Sequence, residues 1–507
     1  MSVLREIAQM CANEFSHMNE DRKSSVSRAV LDSIKHRIID EIFKNPSSFK
    51  DDLAKSVETF VRESGLATAL ENDLFAKKLS ETLVPNDRLS FIDQANASWT
   101  KRVIKSINAM CTELSLPLAR KRTGDQVKTA TKAWNSLSTQ GGVSKSGLKP
   151  IYSAKDFFQV VVGIRNPNRV DSIGGQWELC RVAMATKGVD ELRRIFDELS
   201  PSSKWENFEN EEKYRLGEKV IRAKSVAAAK QYLKTGCPMG LRSKVWPLAF
   251  GIDLSPESLL YFNQLKSSVV QYDLLLDGIM MQDVRMTAAN DESFFVFEDD
   301  LHQAGLALLR DCHVQREAFP PDSQLFSYIR GNLGNVDFHV GYPPSGVVPF
   351  YGFSYYLTPF CFLYESVDRL YLAFRRFYVD YLHHLHTISS HPNGIVSLCC
   401  QFENILMEKE PFLFQHLVHI GADPLRLVFA WIMQAFTCQL DTEQTLLLWD
   451  RIAGFHSTLP LALLSVGILM FRKSSLLKIN KLEEAEVVLS SLKGIKVIPL
   501  LQLVLFA

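Results

Sequence analysis

The apolar residues of this chain recur at three- and four-residue intervals, and no stretch of any length alternates in the two-residue rhythm of a strand. Val30, Leu31, Ile34, Ile38 and Ile42 form one apolar stripe on a helix whose other face is charged. Similar spacing returns around Val103 to Leu114, Phe157 to Ile164 and Leu192 to Leu199, the last with Ile195 and Phe196 on the same face. A chain so patterned is expected to be all-α, with helix stripes buried against one another. The longest apolar run, Leu459 to Phe471, contains Pro460, Ser465 and Gly467. It predicts a buried helix, because a membrane span needs about 20 residues.

At 507 residues the chain is long for one core, and about 150 residues per domain suggests two to four units. A Ser/Gly/Thr-rich stretch, 136–150, breaks the periodicity and reads as a linker between a helical N-terminal region, 1–135, and a helical connector, 151–224. The principal domain is placed at 225–507, where aromatic residues and helix punctuation such as Pro238, Gly240, Pro247 and Gly251 become denser. Within it, the Gly/Pro-rich interval Phe319 to Pro349 reads as a long functional loop.

Lys+Arg 57 balance Asp+Glu 57, so no net charge draws the chain to nucleic acid, and hydrophobic content of 46% argues against disorder. Local basic runs, Lys101 to Lys105 and Arg120 to Lys132, are candidates for peripheral contact with an anionic membrane; a solvated helix face is the competing reading. Nine scattered cysteines without a CxxC pair, and a polar start from Met1 to Met18, point to a reducing, cytoplasmic setting. His383, His384 and His386, with His391 nearby, lack a carboxylate or cysteine at ligand spacing, so they read as packing or surface residues and no metal is expected. Gly331 and Gly334 are not followed by the Gly-Lys-Ser/Thr of a phosphate loop, so the chain is not expected to bind GTP itself.

Gly240-Leu241-Arg242-Ser243-Lys244-Val245-Trp246-Pro247-Leu248 is the first of four ordered stretches that resemble the TBC domain, the Rab GTPase-activating fold, here its opening Gly-Leu-Arg-x-x-x-Trp-x-x-Leu with the last leucine one residue early. Asp283-Val284-Arg285-Met286-Thr287 resembles Asp-Val-x-Arg-Thr, and Gly352-Phe353-Ser354 with Pro359 resembles the Gln-Gly-Met run. Pro411, His416-Leu417, Pro424, Trp431, Phe436 and Leu448-Trp449-Asp450-Arg451 resemble the closing helices. Details such as Tyr328-Ile329-Arg330-Gly331 and Ser389-Ser390-His391-Pro392 resemble the subgroup designated member nineteen.

The resemblance implies an all-helical domain that docks on a Rab-family small GTPase, the partner bringing GTP and Mg. It further implies work in the cytoplasm or peripherally on endomembranes in vesicle trafficking, with the N-terminal region as an adaptor. Active members insert an arginine and a glutamine beside the nucleotide, and neither transfers directly. Holding Asp283, Val284 and Thr287 in register puts Met280 at the motif's isoleucine and Met286 at its arginine. Holding Ile279 instead makes Arg285 the finger but replaces the aspartate by Gln282. In a helix, Arg285 is turned about 100° from the finger position. Counting back from Gly352 puts Tyr351 where the glutamine belongs, and a rigid phenol is a poor copy of a carboxamide.

Arg285 is therefore the candidate displaced finger, Met286 and Tyr351 are degenerate finger positions, and Arg242, Trp246, Asp283, Gly352, Trp449 and Asp450 are framework. Arg242 and Trp246, four apart, share a helix face and are expected to meet Asp450. Two readings remain: a GTPase-activating protein working through Arg285, or a non-catalytic GTPase-binding scaffold with the same fold. Losing an arginine finger costs about 4 to 7 kcal/mol of transition-state stabilisation.

Overall fold

The computed structural model describes residues 85–139, 147–165, 186–201, 210–290, 294–319, 328–330, 339–492 and 494–507. The predicted stripe from Val30 to Ile42 and the Gly331–Gly334 pair lie outside the described residues. The described residues are almost entirely helical, and the fold is all-α. Twelve helices position the site. They are α1 (Pro85–Leu114), α2 (Ala154–Arg165), α3 (Val226–Thr235), α4 (Met239–Phe250), α5 (Leu275–Asn290) and α6 (Glu298–Leu308), followed by α7 (Val367–Asp380), α8 (Ile395–Lys409), α9 (Pro424–Met433), α10 (Thr442–Phe455), α11 (Leu459–Phe471) and α12 (Val497–Phe506).

Local sequence sets several of these boundaries. Asp441 caps α10 by accepting the Gln444 N–H at 2.9 Å, and Asp423 caps α9 ahead of Pro424 at its first position. The apolar run predicted as a buried helix is α11, which is apolar all round and buried along nearly its whole length between α8 and α12. No described helix is long and apolar enough to cross a membrane.

Helix α3 packs along α10, and Gly454 makes the close approach feasible: a Cβ there would lie 2.5 Å from the Lys234 backbone nitrogen. A larger residue would push the two helices apart.

Two three-residue strand pairs interrupt the helices. Strand β1 (Ala119–Lys121) runs antiparallel to β2 (Tyr272–Leu274), and β3 (Tyr328–Arg330) to β4 (His339–Gly341). Their length explains why no alternating pattern announced them. The first pair ties the N-terminal region to the principal domain, and α1 adds Trp99, whose ring meets Tyr152 at 5.0 Å and Phe157 at 5.4 Å. Tyr152 in turn touches Phe350 at 5.9 Å, so a buried core running from Ile92 to Leu505 joins both regions.

The basic runs proposed for membrane contact divide. Lys101, Arg102 and Lys105 are exposed on α1. Arg122 turns inward, donating to the carbonyls of Val270 and Tyr272 at 3.2 and 2.8 Å, and Arg120 pairs with Asp273 at 2.8 Å.

Candidate functional site

Helix α5 carries Asp283 and Thr287 one turn apart, and both reach the turn that follows Phe350. The Asp283 carboxylate accepts the Gly352 N–H at 2.6 Å, the Ser354 N–H at 2.8 Å and the Ser354 hydroxyl at 2.7 Å. With the Ser354 proton committed to the carboxylate, Thr287 donates to Ser354 Oγ at 2.7 Å. Burial pushes the Asp283 carboxyl above its usual range, and these three donors pull it back. Gly352 sits at φ +88°, a conformation a side chain would strain, so the turn requires glycine.

The tips differ from this framework. Tyr351 is exposed, and its N–H donates to the Tyr152 carbonyl at 2.9 Å. Along α5, Met286 is offset about 60° from Asp283 while Arg285 is turned about 200°, onto the far side. There Arg285 lines a cleft with Arg122, Asp277, Met281 and Gln282. Its charge counteracts the upward effect of burial on Glu298; with burial as the larger cause, it helps push His302 down to about 4. Arg285 thus sits among groups of its own chain, not beside the Gly352 turn.

Two of the framework residues named from sequence, Arg242 and Trp246, converge on the Asp450 carboxylate. Asp450 is fully buried and accepts from Arg242 Nη2 at 3.0 Å, Trp246 Nε1 at 2.8 Å and the Cys237 N–H at 2.9 Å. Burial works against the Arg242 charge, but Asp450 outweighs it and leaves the guanidinium more basic than usual. Phe377 is sandwiched between Trp246 at 5.5 Å and Trp449 at 4.7 Å, with interplanar angles of 7° and 19°. Trp449 Nε1 donates to the Ala435 carbonyl at 3.1 Å. This cluster is remote from solvent and holds helices together.

One side chain at the turn escaped sequence reasoning. After α9, Ala435 and Phe436 adopt φ of +48° and +64°, a left-handed pair that bends the chain back and sets Gln434 over the turn. A Cβ added to Gly352 would lie 3.0 Å from Gln434 Nε2. Gln434 Oε1 accepts from Gln439 Nε2 at 3.2 Å, which pairs the two carboxamides. Nothing in Ala-Phe signals left-handed backbone, which glycine would have done.

The histidines pack beneath the same turn. His386 is buried within about 6 Å of Phe350 and Phe353, and shares a 2.9 Å hydrogen bond with the Tyr378 hydroxyl. His384 stacks on His391 at 4.0 Å. Burial pushes His383 and His386 down to about 4 and about 3. Among the described residues, no group of three or more His, Cys, Asp or Glu side chains is placed to hold a metal ion.

An apolar surface borders the turn. Phe295 and Val296 are 63% and 61% exposed, and the half-exposed Phe362 ring lies 5.0 Å from Phe297. Phe294 links this surface to Tyr355 at 6.2 Å.

Comparison with known proteins agrees with this architecture. The model of the Rab-GTPase-TBC domain matches residues 346–477, from just before the Gly352 turn to just beyond α11. TBC1 domain family member 19 of Homo sapiens is 42% identical over 490 residues, covering 92% of this chain and 93% of that protein. No solved structure gives a significant match. A relative this similar along nearly the whole length, over the motifs assembled around Asp450 and Asp283, shows that the chain belongs to the Rab-GTPase-TBC domain family.

Proposed function

We propose that this chain is a Rab-directed regulator that binds a GTP-loaded Rab through the face bearing Met286, Tyr351, Phe295 and Phe362, without dual-finger catalysis. The Asp283 clamp carries the reading: it keeps the paired finger supports in place while their tips hold a thioether and a phenol. A thioether cannot neutralise the charge that develops on the transferring phosphoryl group. Arg285, on the far side of α5 among Glu298 and His302, would need the helix to unwind before it could reach a nucleotide. The exposed aromatic surface supplies the apolar area that a protein partner would cover. GTP and Mg would come with the partner, and the encounter would take place in the cytoplasm or on endomembrane surfaces. The family's established activity keeps GTPase activation as the rival reading, with Arg285 as its displaced finger.

Single-turnover GTP hydrolysis and binding, measured across a Rab panel, separate the two. Binding to at least one GTP-loaded Rab with hydrolysis accelerated less than about tenfold is expected. Acceleration of a hundredfold or more that disappears in Arg285→Ala would overturn the non-catalytic reading in favour of the displaced finger. Binding to no Rab would remove the Rab assignment itself.

A further inference from the structure

The N-terminal region reaches both elements that carry the finger positions, and it does so through short stretches of chain. At the start of α5, strand β1 pairs with β2, the Leu275 N–H donates to the Leu118 carbonyl at 2.9 Å, and the Arg122 N–H donates to the Gln271 carbonyl at 2.9 Å. Helix α5 opens at Leu275, so the Leu118 carbonyl satisfies one of the N–H groups that a helix start leaves unpaired. One turn further on, Leu148 lies against Gly278: a Cβ added there would come within 2.5 Å of Leu148 Cδ1. Glycine at this position is what lets the N-terminal region seat on the helix.

Four residues later the same stretch reaches the Gly352 turn. The Tyr152 carbonyl accepts the Tyr351 N–H at 2.9 Å, and the Tyr152 ring meets Phe350 at 5.9 Å. That ring is held in turn by Trp99 of α1 at 5.0 Å and by Phe157 of α2 at 6.2 Å. From Leu148 to Tyr152 the chain spans no more than about 14 Å even when fully extended. Pro150, in its middle, has a fixed φ and stiffens it further. A tether so short and stiff cannot shift at one end without pulling on the other. The Asp283 clamp joins α5 to the turn directly, whereas this stretch joins them through residues remote in sequence from both.

We propose that residues 148–152 are a positioning strap: with β1 they hold α5 and the Gly352 turn at one spacing, so that displacing the N-terminal region loosens both finger positions together. The cleft beside Arg285 is walled by Arg122 and Leu148 on one side and by Gly278 and Gln282 on the other, and it marks the seam along which the strap parts from α5. The link between strap and turn holds whether or not a partner is bound. Its effect on Rab affinity rests on the proposed function.

Hydrogen exchange of the full chain, followed by mass spectrometry, tests the strap. Gly278→Ala favours the helix itself yet thrusts a methyl group at Leu148. Exchange at 350–356 should become at least about tenfold faster in this variant and in Leu148→Ala, with 226–250 in α3 and α4 unchanged. Combining the two substitutions gives the new methyl the space that the shorter side chain vacates, so the double variant should exchange closer to wild type than either single one. Affinity for a GTP-loaded Rab that the wild type binds should fall by about fivefold or more in the single variants and recover in the double variant. Wild-type exchange at 350–356 in either single variant, additive effects in the double variant, or acceleration extending equally to 226–250 would overturn the strap. Faster exchange at the turn with unchanged Rab affinity would uphold the strap and place the partner face away from the turn. Should Gly278→Ala not fold, Leu148→Ala alone decides.

Discussion

Two buried aspartates organise this molecule, and they do so in different currencies of interaction. Asp450 collects a guanidinium, an indole N–H and a backbone N–H, so its charge is balanced inside the core. Asp283 collects two backbone N–H groups and a hydroxyl, all neutral, and its burial leaves it less acidic than usual. The first fastens α4 to α10 and carries the aromatic stack. The second holds a single turn in a left-handed conformation that glycine adopts freely and whose neighbours face outward. A charge-paired carboxylate fixes the fold, whereas a carboxylate satisfied by a turn positions whatever that turn presents.

The strongest way to break this contrast is to place finger side chains on the intact Asp283 support. Met286→Arg combined with Tyr351→Gln should raise single-turnover hydrolysis on a bound Rab by about a hundredfold or more, with 4 to 7 kcal/mol as the rough ceiling for an arginine finger. No gain despite unchanged affinity would mean that the turn no longer points these positions at a nucleotide. Next in size is Asp450→Ala, which strands Arg242 in the core and should cost about 3 to 5 kcal/mol in urea unfolding. A loss below about 1 kcal/mol would show that the pair contributes little.

Asp283→Ala leaves the Gly352 and Ser354 N–H groups without their acceptor, at an expected cost of about 2 to 3 kcal/mol. Faster hydrogen exchange confined to 350–356 would locate the damage, and uniform exchange would contradict the local role. The most graded effect is a pH slope, which at about pH 6 is still below the cost of Asp283→Ala. His386 stays neutral in the fold down to about 3, while the unfolded chain takes up its proton near 6.5. Its stability contribution is therefore complete above about pH 6.5 and is lost as pH falls below it, by roughly 1.4 kcal/mol per pH unit. His386→Gln should flatten the unfolding midpoint between pH 6.5 and 4.5 relative to wild type, and an unchanged slope would shift the cause to other groups.

Much of the fold was readable because its signals are local. Three- and four-residue spacing announces a helix, and the Leu459 to Phe471 run states its burial by being apolar all round. Arg242, Trp246 and Asp450 were joined by spacing and by the pairing of a cation with an anion. The short strands at Ala119–Lys121 and Tyr272–Leu274 were not readable, since three residues cannot display an alternation. Gln434 was hidden for a different reason: left-handed backbone at Ala435 and Phe436 is imposed by packing around Trp431 and Trp449, not by their own preference.

By itself the sequence determined that the chain is all-α and that the family's motifs stand in order, and it set the expectation that Met286 and Tyr351 hold the finger positions, with Arg285 as the alternative register. These follow from residue identity and short-range periodicity, which no folding can alter. Only the tertiary structure decided which side of α5 Arg285 takes, which donors satisfy Asp283, that Gln434 returns to the turn, and that Arg451 is buried beside a carboxylate already spent on Arg242. Each of those depends on which distant groups share a buried space, and in a low-dielectric interior the partner, more than the residue, sets what a charge can do.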